Sequence, residues 1–186
     1  RCFSTLARMG DTLLMVNADF YKTGTRLVGE IDVPDVILEL SNTVFTLEGY
    51  PKSNTEKLVL TLMARYIEQQ ALAQQTGTLR TSFQKLSRLD DERGTRQFYE
   101  QLGQTEGLAV HVYGVPDWEP PTELGLVSHG VGDAELRKSW FVVHRGDTGH
   151  DVAMLAIKTK PNTWEGYWTF DTDDIRDIDR YISRTF

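Results

Sequence analysis

MARYIEQQALAQQTGTLRTSFQKLSRL (residues 63–89) decides the fold. Its first half is the end of an amphipathic helix, its middle a polar turn at Gln74-Gln75-Thr76-Gly77, and its remainder a strand over 78–84 that ends in Phe-Gln. A helix that turns directly into a strand and buries one apolar stripe is the unit of an α/β or α+β domain. The stretch contains no catalytic motif. Extended backwards, the helix spans 54–75. Asn54 can cap it, and Leu58, Val59, Leu62, Met63, Tyr66 and Ile67 fall on one stripe. Arg65, Glu68, Gln69 and Gln75 lie mostly off it.

Downstream, the spacing predicts a helix over 90–104, capped by Asp90 or Asp91, with Phe98, Tyr99 and Leu102 inward and Glu106-Gly107 closing it. LAVHVY (108–113) alternates as a buried strand, GVPDWEPP (114–121) is a proline-rich loop, and 124–129 a short strand. Three strands at hairpin spacing follow: SWFVVH (139–144), VAMLAIK (152–158) and WEGYWTF (164–170). A closing helix covers 171–186, with aspartates in its first turn, where the helix dipole favours them. Its inward stripe is Ile175, Ile178 and Ile182, with Tyr181 beside it.

Upstream, TLLMV (12–16) fits a buried strand or a helix end equally. Residues 17–29 are mixed, with turns at Gly24 and Gly29. For 32–47, Asp32 as cap, Pro34 in the first turn, and Val36, Ile37, Leu40, Val44 and Leu47 three to four apart favour a helix. Val44-Phe45-Thr46 is nevertheless strand-prone. Residues 48–53 form a loop. The expected fold is α+β: a mixed, largely antiparallel central sheet with a C-terminal meander, flanked by helices, in one domain over 1–186.

A 186-residue chain with 10% aromatic residues can build a real core. Its net charge of −7, without a basic run, is the wrong electrostatics for a phosphate backbone, so no nucleic-acid partner is expected. No apolar run approaches the ~20 residues that span a bilayer, and no signal peptide is visible, so a cytoplasmic setting is expected. One cysteine, Cys2, excludes an internal disulfide and fits a reducing compartment. Arg1 in place of Met fits a piece cut from a longer protein.

Catalytic patterns are missing: no Gly-x-Ser-x-Gly elbow, P-loop or dinucleotide-binding glycine fingerprint occurs. His144 and His150, with Asp147 and Asp151, sit across a hairpin turn without ligand spacing, and His111 reads as a packed or edge imidazole, leaving His129 unassigned. Asp171, Asp173, Asp174, Asp177 and Asp179 lack the glycine and closing glutamate of a calcium loop. No metal site is expected. Trp118, Trp140, Trp164 and Trp168 either line a pocket for a flat ligand or fill core and interface.

In order along the chain, Met63-Ala64-Arg65-Tyr66-Ile67-Glu68, Ser82-Phe83-Gln84-Lys85-Leu86-Ser87, the Phe98-Tyr99 helix, Val112-Tyr113-Gly114-Val115-Pro116-Asp117, Trp140, the strand at 152–157 and the WEGYWTF stretch resemble the DICT domain. This is the sensory module named for its occurrence with diguanylate cyclases and two-component systems. The resemblance runs from near Asn54 to the end, and the first 53 residues match less clearly. It implies a regulatory α+β domain, not an enzyme, wired to a histidine kinase, a diguanylate cyclase or a DNA-binding output, with a role in light response. No family-wide ligand residues carry over. Phe83 and Gln84, with Trp140 and Trp168, are the ligand-binding candidates, although Phe83 also suits a strand anchor. Leu62 and Tyr66 are candidates for a homodimer interface. The cofactor stays unknown. A small-molecule-binding scaffold of a larger assembly is the competing class, and an enzyme the third.

Overall fold

The computed structural model describes residues 3–9, 12–17, 35–49, 57–90 and 94–186. Among these residues nine strands join one mixed sheet: β1 (Phe3–Met9), β2 (Thr12–Asn17), β3 (Thr43–Gly49), β4 (Gly77–Lys85), β5 (Leu108–Val115), β6 (Val127–Gly130), β7 (Ser139–Arg145), β8 (Val152–Lys160) and β9 (Thr163–Thr169). Their order is β2-β1-β3-β9-β8-β7-β4-β5-β6. Only the β4–β5 and β5–β6 pairs are parallel. The remaining pairs are antiparallel, so the fold is α+β with a largely antiparallel sheet and a β7-β8-β9 meander.

The helices are α1 (Asp35–Leu38), α2 (Lys57–Gln74), α3 (Thr95–Gly103) and α4 (Thr172–Thr185). Alternation along the strands divides the burial. Leu79, Val110, Val112, Val142, Met154, Trp164 and Trp168 point to one face and pack with α2 and α3 in the main core. Tyr113, Phe141, Val143 and Ala153 point to the other, where Ile175 and Ile182 of α4 cover them.

The helix expected over 32–47 is corrected. Only α1 is helical, and β3 follows it, with Phe45 and Leu47 buried and Val44 67% exposed. That is period two, and it is why β-branched and aromatic propensity prevails over the helical spacing. The 12–16 run is a strand, β2, paired with β1.

Of the helix expected over 90–104, the described part is α3, Thr95–Gly103, and a 3-10 turn at Leu86–Asp90 precedes it. The cap of α3 is Gly94, at φ +86°, in place of the expected Asp90 or Asp91, and it offers no side-chain bond. Asp90 instead accepts from Arg96 at 2.7 Å. The strand expected over 124–129 is a 3-10 turn, Thr122–Leu124, followed by β6. In α4, Tyr181 is 61% exposed and lies off the stripe, while Asp179 is buried within it. Asp171 caps this helix, accepting from the amides of Asp173 and Asp174. The readings at Cys2, 18–34, 50–53, Asn54 and Asp91 lie outside the described residues.

Packing is close at Gly166 on β9. A Cβ there would sit 2.4 Å from Cε2 of Phe45, so the β3–β9 pairing leaves room only for hydrogen.

Candidate functional site

On the α4 face of the sheet, polar side chains from five elements converge. Register places Arg80 of β4 beside His111 of β5, and Tyr113 of β5 beside His129 of β6. Arg145 of β7 pairs two residues away from Arg80, opposite Thr78. Period-two alternation sends all five side chains to this face. From above, α4 delivers Asp179. The Nε of Arg80 donates to Oδ1 of Asp179 at 2.5 Å, and Nη1 of Arg145 donates to Oδ2 at 2.8 Å. Nη1 of Arg80 also donates to the Tyr113 hydroxyl at 2.8 Å. Nδ1 of His111 and Nε2 of His129 share a hydrogen bond of 3.0 Å, and the His129 ring stacks on Tyr113 at 4.3 Å.

Electrostatics follow from burial and these partners. Burial disfavours the charged form of Asp179, but the bonds and charges of Arg80 and Arg145 outweigh it and hold the carboxyl below its usual range. Burial first, then the Arg80 charge, then His129, lowers His111 to about 4. Burial and Arg80 lower His129 as well. Near neutral pH the cluster therefore holds two guanidinium groups, one carboxylate and two neutral imidazoles. Its sum is one positive charge in a chain that is acidic overall. Among the described residues no hydroxyl or thiol nucleophile is bonded to either histidine. The arrangement is suited to holding an anion and offers no nucleophile–base pair.

A second feature lies at the carboxyl ends of the parallel strands β4, β5 and β6. An open groove of about 410 Å³ is lined by Leu86, Pro116, Asp117, Trp118, Pro120 and Ser128. Asp117 is pinned there by the amide and hydroxyl of Ser87, at 3.0 and 2.8 Å, and by Lys85 at 3.4 Å. The bond from the Ser87 amide leads the effects that draw its pKa down.

The residues singled out in the sequence fall in different places. Phe83 and Gln84 are half-buried at the carboxyl end of β4, just before Leu86 of the groove. Trp140 begins the antiparallel neighbour β7, and so shares that end of the sheet. Phe83 packs edge-on against Tyr99 at 5.3 Å, and Trp140 against Trp164 at 6.4 Å. Trp168 lies apart, fully buried beside Tyr66 and Phe170. Leu62 is 3% exposed in the main core and Tyr66 is half-buried against Trp168. Trp164 is core as well.

His144 is buried and bonds the Thr76 carbonyl at 3.2 Å, whereas His150 is exposed. Among the described residues no group of three or more potential ligands forms a metal site.

The sequence reading gave Arg80, Tyr113 and Arg145 no site role, left His129 unassigned, and set Asp179 aside with the other aspartates of the last helix. One signal was available: Asp179 stands at i+4 from Ile175 and three before Ile182, an inward position of the α4 stripe. A carboxylate there needs a buried cationic partner.

The family profile described as "Sensory domain in diguanylate cyclases and two-component system" matches residues 35–158. The chain belongs to the DICT family. The match begins before Asn54, where the sequence resemblance became clear, and takes in α1 and β3. It ends within β8, so β9, α4 and Asp179 of this DICT protein lie beyond the matched segment. Neither a curated protein nor a solved structure matches the chain. Among the described residues no helix is long and apolar enough to cross a membrane.

Proposed function

We propose that this DICT chain is a non-catalytic sensory module that receives a signal through ligand binding or protein contacts. It passes that signal to a histidine kinase, a diguanylate cyclase or a similar output. The observation that carries the reading is the family match over 35–158. Ligand recognition falls at the end of the sheet that carries Phe83, Gln84 and Trp140 as well as the groove beside Leu86. Trp168, buried apart beside Tyr66 and Phe170, is left out of this ligand site. The module works in the cytoplasm as a homodimer, and its input is connected to light response.

The deciding test is the output of the gene product that carries this chain, measured as kinase or cyclase rate. Excising the module, or substituting Phe83→Ala or Trp140→Ala, should change the regulated rate; unchanged output after excision refutes the reading. For light, protein purified from its own host should show an absorbance band above 350 nm, and a spectrum of aromatic side chains alone removes that part. Sedimentation of the wild-type chain decides the dimer. The substitution Tyr66→Glu is informative there, whereas Leu62→Glu would disrupt the core before it could report on an interface.

A further inference from the structure

We propose that Arg80 and Arg145 form a binding site for a phosphate-type oxyanion, and that Asp179 of α4 occupies this site as a built-in substitute. Each carboxylate oxygen of Asp179 takes one guanidinium, as an external bidentate anion would. The site exists without the helix. Arg80 and Arg145 belong to strands paired through the sheet, and Arg80 is steadied by the Tyr113 hydroxyl. Asp179 does not saturate it. Two guanidinium groups face one carboxylate, and Nε of Arg145 is shielded from water without an acceptor. A dianion with three oxygens matches that surplus better than one carboxylate does, with the imidazoles of His111 and His129 at its margin. Solvent reaches the site, since the Arg145 side chain is 40% exposed.

Displacement of Asp179 has a mechanical result. Asp179 is the polar tether of α4 to β4 and β7, beside the apolar contacts of Ile175 and Ile182. An incoming anion would compete with that tether and loosen the helix. The inference deepens the sensory reading by naming the class of one ligand and the element it moves. It is tested on the isolated chain, so its failure is separate from a failure at the level of output.

The experiment titrates inorganic phosphate, against chloride at matched ionic strength, into wild type, Asp179→Asn and the double variant Asp179→Asn/Arg145→Gln, followed by calorimetry. Asp179→Asn should bind phosphate at least about tenfold more tightly than wild type, since its internal competitor is gone. The double variant should lose that gain. Equal affinity in wild type and Asp179→Asn, or retention in the double variant, overturns the proposal. Should Asp179→Asn fail to fold in chloride, refolding in phosphate should restore native fluorescence, and failure to do so also overturns it. In wild type at saturating phosphate, tryptic cleavage after Arg176 and Arg180 should accelerate. Unchanged cleavage overturns the displacement of α4.

Discussion

Removal of one oxygen from Tyr99 should destabilise the protein well out of proportion to its size. The ring is fully buried, and its hydroxyl donates to Oε1 of Glu68 at 2.5 Å while Thr81 stands 3.2 Å away. Burial first, and then the Glu68 charge, raises the phenol pKa well above its usual value, so the hydroxyl stays a donor. Glu68 is 4% exposed, and its other oxygen takes Nη1 of Arg65 at 2.7 Å. In Tyr99→Phe the ring keeps its edge contacts with Phe83 and Phe98, but Oε1 of a buried carboxylate loses this donor. A hydrogen bond to a charged group is worth about 1.5–3 kcal/mol, so a loss of about 2 kcal/mol is expected. For a chain of this size that is a fall in Tm of about 4–8 °C. Glu68→Gln should cost about 3 kcal/mol, because it leaves Arg65 facing a neutral amide. Since both changes remove the same bond, the double variant should cost about 1–2 kcal/mol less than the sum. Urea unfolding followed by tryptophan fluorescence measures all four proteins. A cost below about 0.5 kcal/mol for Tyr99→Phe, or additivity in the cycle, refutes the reasoning.

Gly166→Ala should cost about 1–3 kcal/mol by overpacking Phe45, and adding Phe45→Leu should recover part of the loss in the same unfolding assay. Asp171→Ala removes the acceptor for the amides of Asp173 and Asp174, and should cost about 1 kcal/mol, read as a shift in Tm. The histidines set a pH dependence. His111 has its usual value near 6.5 when unfolded and about 4 when folded, so between these the unfolded chain binds the extra proton. Stability therefore falls as pH drops from about 6.5 to about 4, and His129 acts in the same direction. Discounted for the partial solvent exposure of the ring, the His111 contribution is about 1–2 kcal/mol. His111→Gln should flatten this slope in urea unfolding at stepped pH. Asp179, whose pKa is lowered on folding, loses its contribution only below about 3.8, outside most of that window.

Elements with one clear period were legible in the sequence. The stripe of α2, the alternation of β5 and the capped, isoleucine-spaced α4 each report a single buried face. Legibility failed where one set of apolar residues served two elements. Ile37 is buried by α1, Leu40 by the turn after it, and Phe45 and Leu47 by β3, and their combined spacing imitates one longer helix. It failed again at inward acids. Glu68 and Asp179 are charged letters at core positions, and their partners are far away in the chain: Tyr99 is 31 residues from Glu68, and Arg80 is 99 from Asp179. Pairing over such distances is set by strand order, which local periodicity does not encode. The tryptophans stayed divided between pocket and core, because composition alone cannot say which face of a strand is covered.

The position of β9 has a consequence for how the protein is made. It is hydrogen-bonded to β3 on one side and β8 on the other. The Thr169 hydroxyl at its end donates to Asn42, 127 residues earlier. On the ribosome, β3 must therefore wait, with an open edge, until β9 has emerged more than a hundred residues later. Contacts of such sequence separation slow folding and prolong exposure of an unpaired strand. A fragment cut to the family match at 158 would keep that defect permanently, with β3 and β8 both missing their shared neighbour. Such a fragment should self-associate through those two edges, and expression work on this protein should carry the chain through α4.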